Sequence, residues 1–113
     1  MADFQIKQAD TSPSISYDLT YDDLTKPDLT GATVIFRWKP VDGGTAKQGV
    51  AVVDGDGTGV NPARVRYVWV SGDTSVAGSH NAEWEVTFAG GKIGTFPNGP
   101  TFISLLITDD LDT

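Results

Sequence analysis

Apolar and polar residues alternate along most of this chain, and the clearest example lies at residues 81–98. Ala82, Trp84, Val86 and Phe88 alternate with Glu83, Glu85 and Thr87. A period of two places one set on each face of an extended segment, as in a half-buried β-strand. Ala-Gly-Gly-Lys at 89–92 supplies the residues of a tight turn, and a second extended run leads to Phe96-Pro97. The whole reads as a hairpin.

The same period recurs elsewhere. Phe4 and Ile6 open an extended segment that ends at Asp10-Thr11-Ser12-Pro13, where proline imposes a bend. Ile15, Tyr17 and Leu19 form one face of a second strand, and Val34, Phe36 and Trp38 one face of a third, with Ile35 out of pattern. Residues 47–54 predict a weaker strand around Val50 and Val52, and 54–59 a loop. Val65, Tyr67 and Trp69 mark another strand, expected to be buried on both faces near Val68 and Val70. Residues 71–78 are too short and Gly-rich for a lasting helix; Asp73 or Thr74 is placed to cap a single turn. An apolar run at 101–108 precedes an acidic tail. Asp-Leu-Thr occurs at 18–20, 23–25 and 28–30, a period of five that fits neither helix nor strand and reads as coincidence, its last copy a turn.

Seven or eight short strands at about ten-residue spacing, without helical periodicity, predict a single all-β domain over 1–113, a two-sheet antiparallel sandwich. A chain of 113 residues buries roughly 65% of its unfolded surface, enough for one core.

Composition narrows function mostly by exclusion. No cysteine is present, which removes disulfides, thiolate metal sites and cysteine nucleophiles. Fifteen acidic against eight basic residues give a net charge of −7, which disfavours nucleic acid and anionic membrane surfaces as partners. The N-terminus has no signal-peptide pattern, and no apolar run approaches the ~18 residues of a membrane span.

The candidate chemistry is thin. His80 is the only histidine; it reads as a solvated residue at a strand start. Asp54-x-Asp56-x-Thr58-Gly59 has the opening of a calcium loop, but the twelfth position is Val65 instead of glutamate. Glu83 and Glu85 stand about 6.6 Å apart on one strand face, near a glycosidase spacing. Arg37, Lys39, Arg64 and Arg66 are placed to pair with them, which favours a solvated sheet face. Gly55-x-Gly57-x-Gly59 precedes no helix, so it is not a phosphate loop. Trp38, Trp69 and Trp84 all fall on apolar faces, as core residues. The expectation is a protein that is not an enzyme, with no catalytic, cofactor-binding or metal residues and no cofactor.

Several segments together carry a resemblance. They are Phe4-x-Ile6-Lys7-Gln8-x-Asp10-Thr11-Ser12-Pro13, Pro27-Asp28-Leu29-Thr30-Gly31-Ala32-x-Val34-x-Phe36, Val65-x-Tyr67-x-Trp69 and Asp73-Thr74-x-x-Ala77-Gly78. Ala82-Glu83-Trp84-Glu85-Val86-Thr87-Phe88-x-x-Gly91-Lys92 and Thr95-Phe96-Pro97-Asn98 complete the set. In this order they resemble the immunoglobulin-like N-terminal domain of the baseplate upper proteins of tailed phages, and the small stand-alone phage proteins similar to it. The resemblance covers nearly the whole chain. It implies an immunoglobulin-like β-sandwich and a virion structural protein, made in the host cytoplasm. Such a protein is an assembly or attachment adaptor of the tail or baseplate, binding other virion proteins in many symmetric copies. It carries no catalytic residues across. The longer baseplate proteins add a fibre or receptor-binding region with no counterpart here, so capsid decoration or a neck position is the alternative role. A carbohydrate or host-surface module is a further alternative, and a hydrolase using Glu83 and Glu85 a third. Residues 2–10 and the acidic tail are the expected docking arms.

Overall fold

The computed structural model describes residues 3–98 and 101–109. Nine strands and no helix occur among them: β1 (Phe4–Lys7), β2 (Ile15–Asp18), β3 (Thr33–Pro40), β4 (Lys47–Val50), β5 (Val52–Asp56), β6 (Ala63–Tyr67), β7 (Gly78–Thr87), β8 (Ile93–Phe96) and β9 (Ile103–Thr108). The larger sheet runs β1-β9-β7-β3-β4, with β8 also paired to β7, and the smaller runs β2-β6-β5. Pairing is antiparallel except between β1 and β9. A β9-β7-β3-β4 sheet facing β2-β6-β5 is the immunoglobulin order of G-F-C-C′ against B-E-D.

Period-two patterning fixes what lies between the sheets. Val34, Phe36 and Trp38 from β3 meet Ala82, Trp84 and Val86 from β7 in register, Phe36 opposite Trp84. Ile15, Val65 and Tyr67 close the core from the smaller sheet. All three tryptophans are buried, at 1%, 2% and 0% exposure for Trp38, Trp69 and Trp84. Phe36 touches four rings: Trp38, Tyr67, Trp69 and Trp84, with centroids 4.4–5.8 Å away. Antibody domains join these sheets with a disulfide between strands B and F. Here the corresponding link is Tyr17 of β2 stacked at 6.4 Å on Trp84 of β7.

Several expectations change. The strand read over 47–54 is two strands in different sheets: the chain crosses at buried Ala51, and Asp54 and Asp56 lie in β5, not in a loop. A bulge between Val53 and Gly55 bends that edge. The Val65 strand ends at Tyr67, and Val68 and Val70, beyond it, are 46% and 58% exposed. Residues 71–77 form turns with no helical turn; Thr74 donates its hydroxyl to the Asp10 carbonyl at 2.7 Å.

The N-terminal arm is largely incorporated into the domain. Residues 4–7 pair with 105–108, Ile6 is buried, and Asp3 exchanges two hydrogen bonds with Ser104. In the described part of the arm, β1 is the last strand of its sheet, so its outer edge is unpaired within the sheet. Residues 1–2 and 110–113, the ends of the expected docking arms, lie outside the described residues.

Candidate functional site

Three places gather polar chemistry, and a fourth presents apolar side chains to water. On the outer face of the larger sheet, β3 sets Arg37 directly opposite Glu83 of β7. Its Nη1 lies 3.2 Å from Glu85 Oε2 and 3.8 Å from Glu83 Oε2, and its Nε donates to Gln48 Oε1 at 3.0 Å. The two carboxylates of the glycosidase-like spacing therefore share one cation and turn toward it. Arg64 and Arg66, expected as further partners, sit in the other sheet. Arg64 donates twice to Asp18, at 2.7 and 3.1 Å, and Arg66 twice to Asp54, at 2.9 and 3.2 Å. Strand parity showed that these arginines face outward; it carried no information about which sheet holds them.

These pairs dismantle the calcium-like run. Asp54 is turned to Arg66, whose hydrogen bonds hold its carboxyl below the usual carboxylate range. Asp56 Oδ1 instead accepts from the Thr58 N–H at 3.0 Å, the Thr58 hydroxyl at 2.8 Å and Asn61 Nδ2 at 3.3 Å. Among the described residues no three acidic or histidine side chains converge as a metal site.

His80 is buried, at 2% exposure, where a solvated residue was expected. It shares the inward parity of Ala82 and Trp84, and that parity was the signal available in the sequence. Its Nδ1 lies 3.0 Å from the Gly78 carbonyl, a geometry in which Nδ1–H donates. Trp38, Pro40, Lys47, Asp73 and Val76 enclose a cavity of about 10 Å³ beside the ring, about the space of one water. Burial lowers the imidazole pKa, and nearby Lys47 adds to this. Neither neighbouring polar group serves the ring. Lys47 Nζ donates to the Gly72 carbonyl at 2.7 Å and Ser75 Oγ at 3.0 Å. Asp73 Oδ2 accepts the Tyr67 hydroxyl at 2.6 Å and the Val70 N–H at 2.9 Å. Burial, with Asp73 beside it, pushes the Tyr67 phenol pKa up. This network pins residues 70–75 to β4 and β6. Gly49 belongs to it, since a Cβ there would lie 2.5 Å from Tyr67 Oη.

A shallow groove of about 330 Å³ adjoins the Arg37 clamp, lined among others by Lys39, Val41, Asn81, Glu83 and Phe102. Phe102 is 51% exposed, although the sequence grouped it with the buried run of β9.

The fourth place is one end of the sandwich, where the loops 19–32, 57–62 and 88–92 meet. Two Asp-Leu-Thr copies do the same work here. Asp23 Oδ1 accepts from the Thr25 N–H (3.0 Å) and hydroxyl (2.6 Å), and Asp28 Oδ1 accepts from the Thr30 N–H (2.9 Å). Asp56, the last residue of β5, and Thr58 repeat the arrangement where the neighbouring loop begins. The repeat is thus a turn motif, Asp-x-Thr, and not a coincidence; only Asp18 departs, lying in β2 against Arg64. Lys26 Nζ binds the loops together by donating to the carbonyls of Gly59 and Asn61, each at 2.8 Å. Leu29 N–H donates to the Asp56 carbonyl at 2.8 Å. At Gly57, φ is +77°, and a Cβ would collide with the Pro27 carbonyl oxygen. Gly31 packs on Ala89 of the hairpin turn. On this frame Leu24 is 81% exposed, Val60 98% and, at the foot of the hairpin, Ile93 64%.

Sequence reasoning missed Leu24, Val60 and Phe102 because exposure of an apolar residue in a loop has no periodic signature. Comparison with family models, with characterised proteins and with solved structures found no match.

Proposed function

We propose that this protein is a non-enzymatic adaptor of a tailed-phage virion, in the tail or baseplate region, working through contacts with neighbouring structural proteins. The observation that supports a binding role is the division of labour among side chains. Carboxylates and cations such as Glu83, Glu85, Asp18, Asp54, Arg37 and Lys26 bond one another or the backbone. The large apolar groups left in water stand on loops, at the start of β8 (Ile93) and on the β4–β5 edge, where Val50 and Val52 are 70% and 43% exposed. Exposed apolar groups held on a rigid scaffold suit protein contacts. The virion assignment rests on the sequence resemblance. Capsid decoration or a neck position fits the same surfaces.

The test is quantitative mass spectrometry of purified particles. A fixed copy number per particle, retained through high-salt washing, is expected; absence from particles overturns the reading. The groove beside Phe102 favours a second reading, a carbohydrate or host-surface site, because an exposed ring flanked by Asn81 and Glu83 can stack on a sugar while they bond its hydroxyls. Glycan titration of the protein and of Phe102→Ala decides it. A hydrolase using Glu83 and Glu85 would lose its activity when both are replaced by Gln.

A further inference from the structure

We propose that the end of the sandwich carrying Leu24, Val60 and Ile93 is a preformed docking tip, and that it takes a protein partner offering an apolar seat ringed by basic residues. This deepens the adaptor reading, on which it rests for the partner's place in the particle.

Three observations carry it. First, three of the four most exposed large aliphatic side chains of the described residues, Val60, Leu24 and Ile93, stand at this one end; the fourth, Val50, stands on the β4 edge. Isolated exposed aliphatics are ordinary, but three presented at the same end of a sandwich mark an interaction surface.

Second, the fold holds Leu24 there at a cost. Leu24 has φ +71°, the left-handed region that disfavours a residue with a Cβ. The strain is kept by Tyr21, whose carbonyl accepts from the Leu24 N–H and whose N–H donates to the Thr25 carbonyl, both at 2.8 Å. Asp23, Asp56 and Lys26 fix the loops on either side through the bonds described above. An apolar group presented on an ordered loop loses little conformational entropy on binding.

Third, the rim is acidic. Asp22, Asp23, Asp28 and Asp56 on or beside these loops outnumber Lys26 and Lys92, which leaves this end with a net negative charge. A basic ring on the partner complements this charge and sets its orientation. A second copy of the chain would bring like charge to the contact. An anionic bilayer attracts basic surfaces, so a membrane is the poorer fit.

The test is backbone NMR of the full chain titrated with three probes: a cationic peptide of alternating leucine and arginine, its leucine–glutamate counterpart, and phosphatidylcholine–phosphatidylserine vesicles. The proposal expects shifts centred on Leu24, Val60 and Ile93 with the cationic peptide alone. Affinity should fall by roughly tenfold or more in Leu24→Asp/Val60→Asp and stay unchanged in Val50→Asp. An equal response to the acidic peptide, binding to vesicles, no binding of the cationic peptide, or shifts centred on Val50 or Phe102 would overturn it. Leu24→Gly separates presentation from stability: the melting temperature should rise as the strain is relieved, while affinity for the cationic peptide drops. Unchanged affinity in that variant would also count against the tip. Absence of the protein from particles would sink the adaptor reading and leave the titration to decide the tip.

Discussion

The sandwich interior and the loop end use the same kind of side chain for opposite purposes. Between the sheets, Phe36 and Trp84 are fully buried and in ring contact, so hydrophobic burial itself fixes their positions. At the loop end, Leu24 and Val60 bury almost nothing. Their positions come from polar chemistry instead: Asp-x-Thr turns, the Lys26 ammonium and glycines such as Gly57. Losing an apolar group should therefore unfold the protein at one place and alter only its contacts at the other.

The largest effect is expected from Phe36→Ala, which removes the ring at the centre of the aromatic cluster. It should cost about 3–5 kcal/mol in denaturant unfolding. A loss below 1 kcal/mol would show that the cluster is not what holds the sheets together. Next is Gly57→Ala, the corresponding break in the loop frame. A positive φ and a collision with the Pro27 carbonyl should cost about 2 kcal/mol, and protease sensitivity should appear within 57–62 before global unfolding.

Acidification probes the interior by another route. Burial holds the His80 pKa below its ordinary 6.5, so the unfolded chain binds the proton more readily. Stability is therefore full above pH 6.5 and declines as the pH falls below it, down to the folded-state pKa. His80→Phe should flatten that limb of a stability–pH profile. The carboxyls of Asp18 and Asp54 are also held below their ordinary 3.8 by arginine bonds, and they add a separate decline that begins near pH 3.8 and continues as the pH falls to their lowered folded-state pKa values.

The smallest effect lies at the loop tip. Leu24→Gly should gain up to about 1 kcal/mol by removing a left-handed leucine, read as a raised denaturation midpoint. Val60→Asp should change the unfolding free energy by less than about 0.5 kcal/mol. A large loss from Val60→Asp would erase the contrast between the two regions.

Much of the interior was legible along the chain because an extended backbone turns alternate residues to one side. Val34, Phe36 and Trp38, or Ala82, Trp84 and Val86, announce a buried face without reference to anything else. His80 carried the same parity, and the polar Gly-Ser neighbours obscured it. The division at Ala51 was not legible. Val50 and Val52 continue a single alternation, and only the hand-over of the chain from one sheet to the other breaks it. Asp-Leu-Thr could be seen as a repeat, but its work as a turn depends on each aspartate meeting the threonine two residues on outside a strand.

By itself the sequence determined that the chain is strands and turns, which residues face inward, and that the surface is acidic, since these depend on local geometry and composition. Tertiary structure alone decided which sheet each strand joins, and so which cation meets which carboxylate. It also decided that three separate loops converge on one apolar, acid-rimmed end. Those outcomes arise from contacts between residues far apart in the chain, and no local periodicity encodes them.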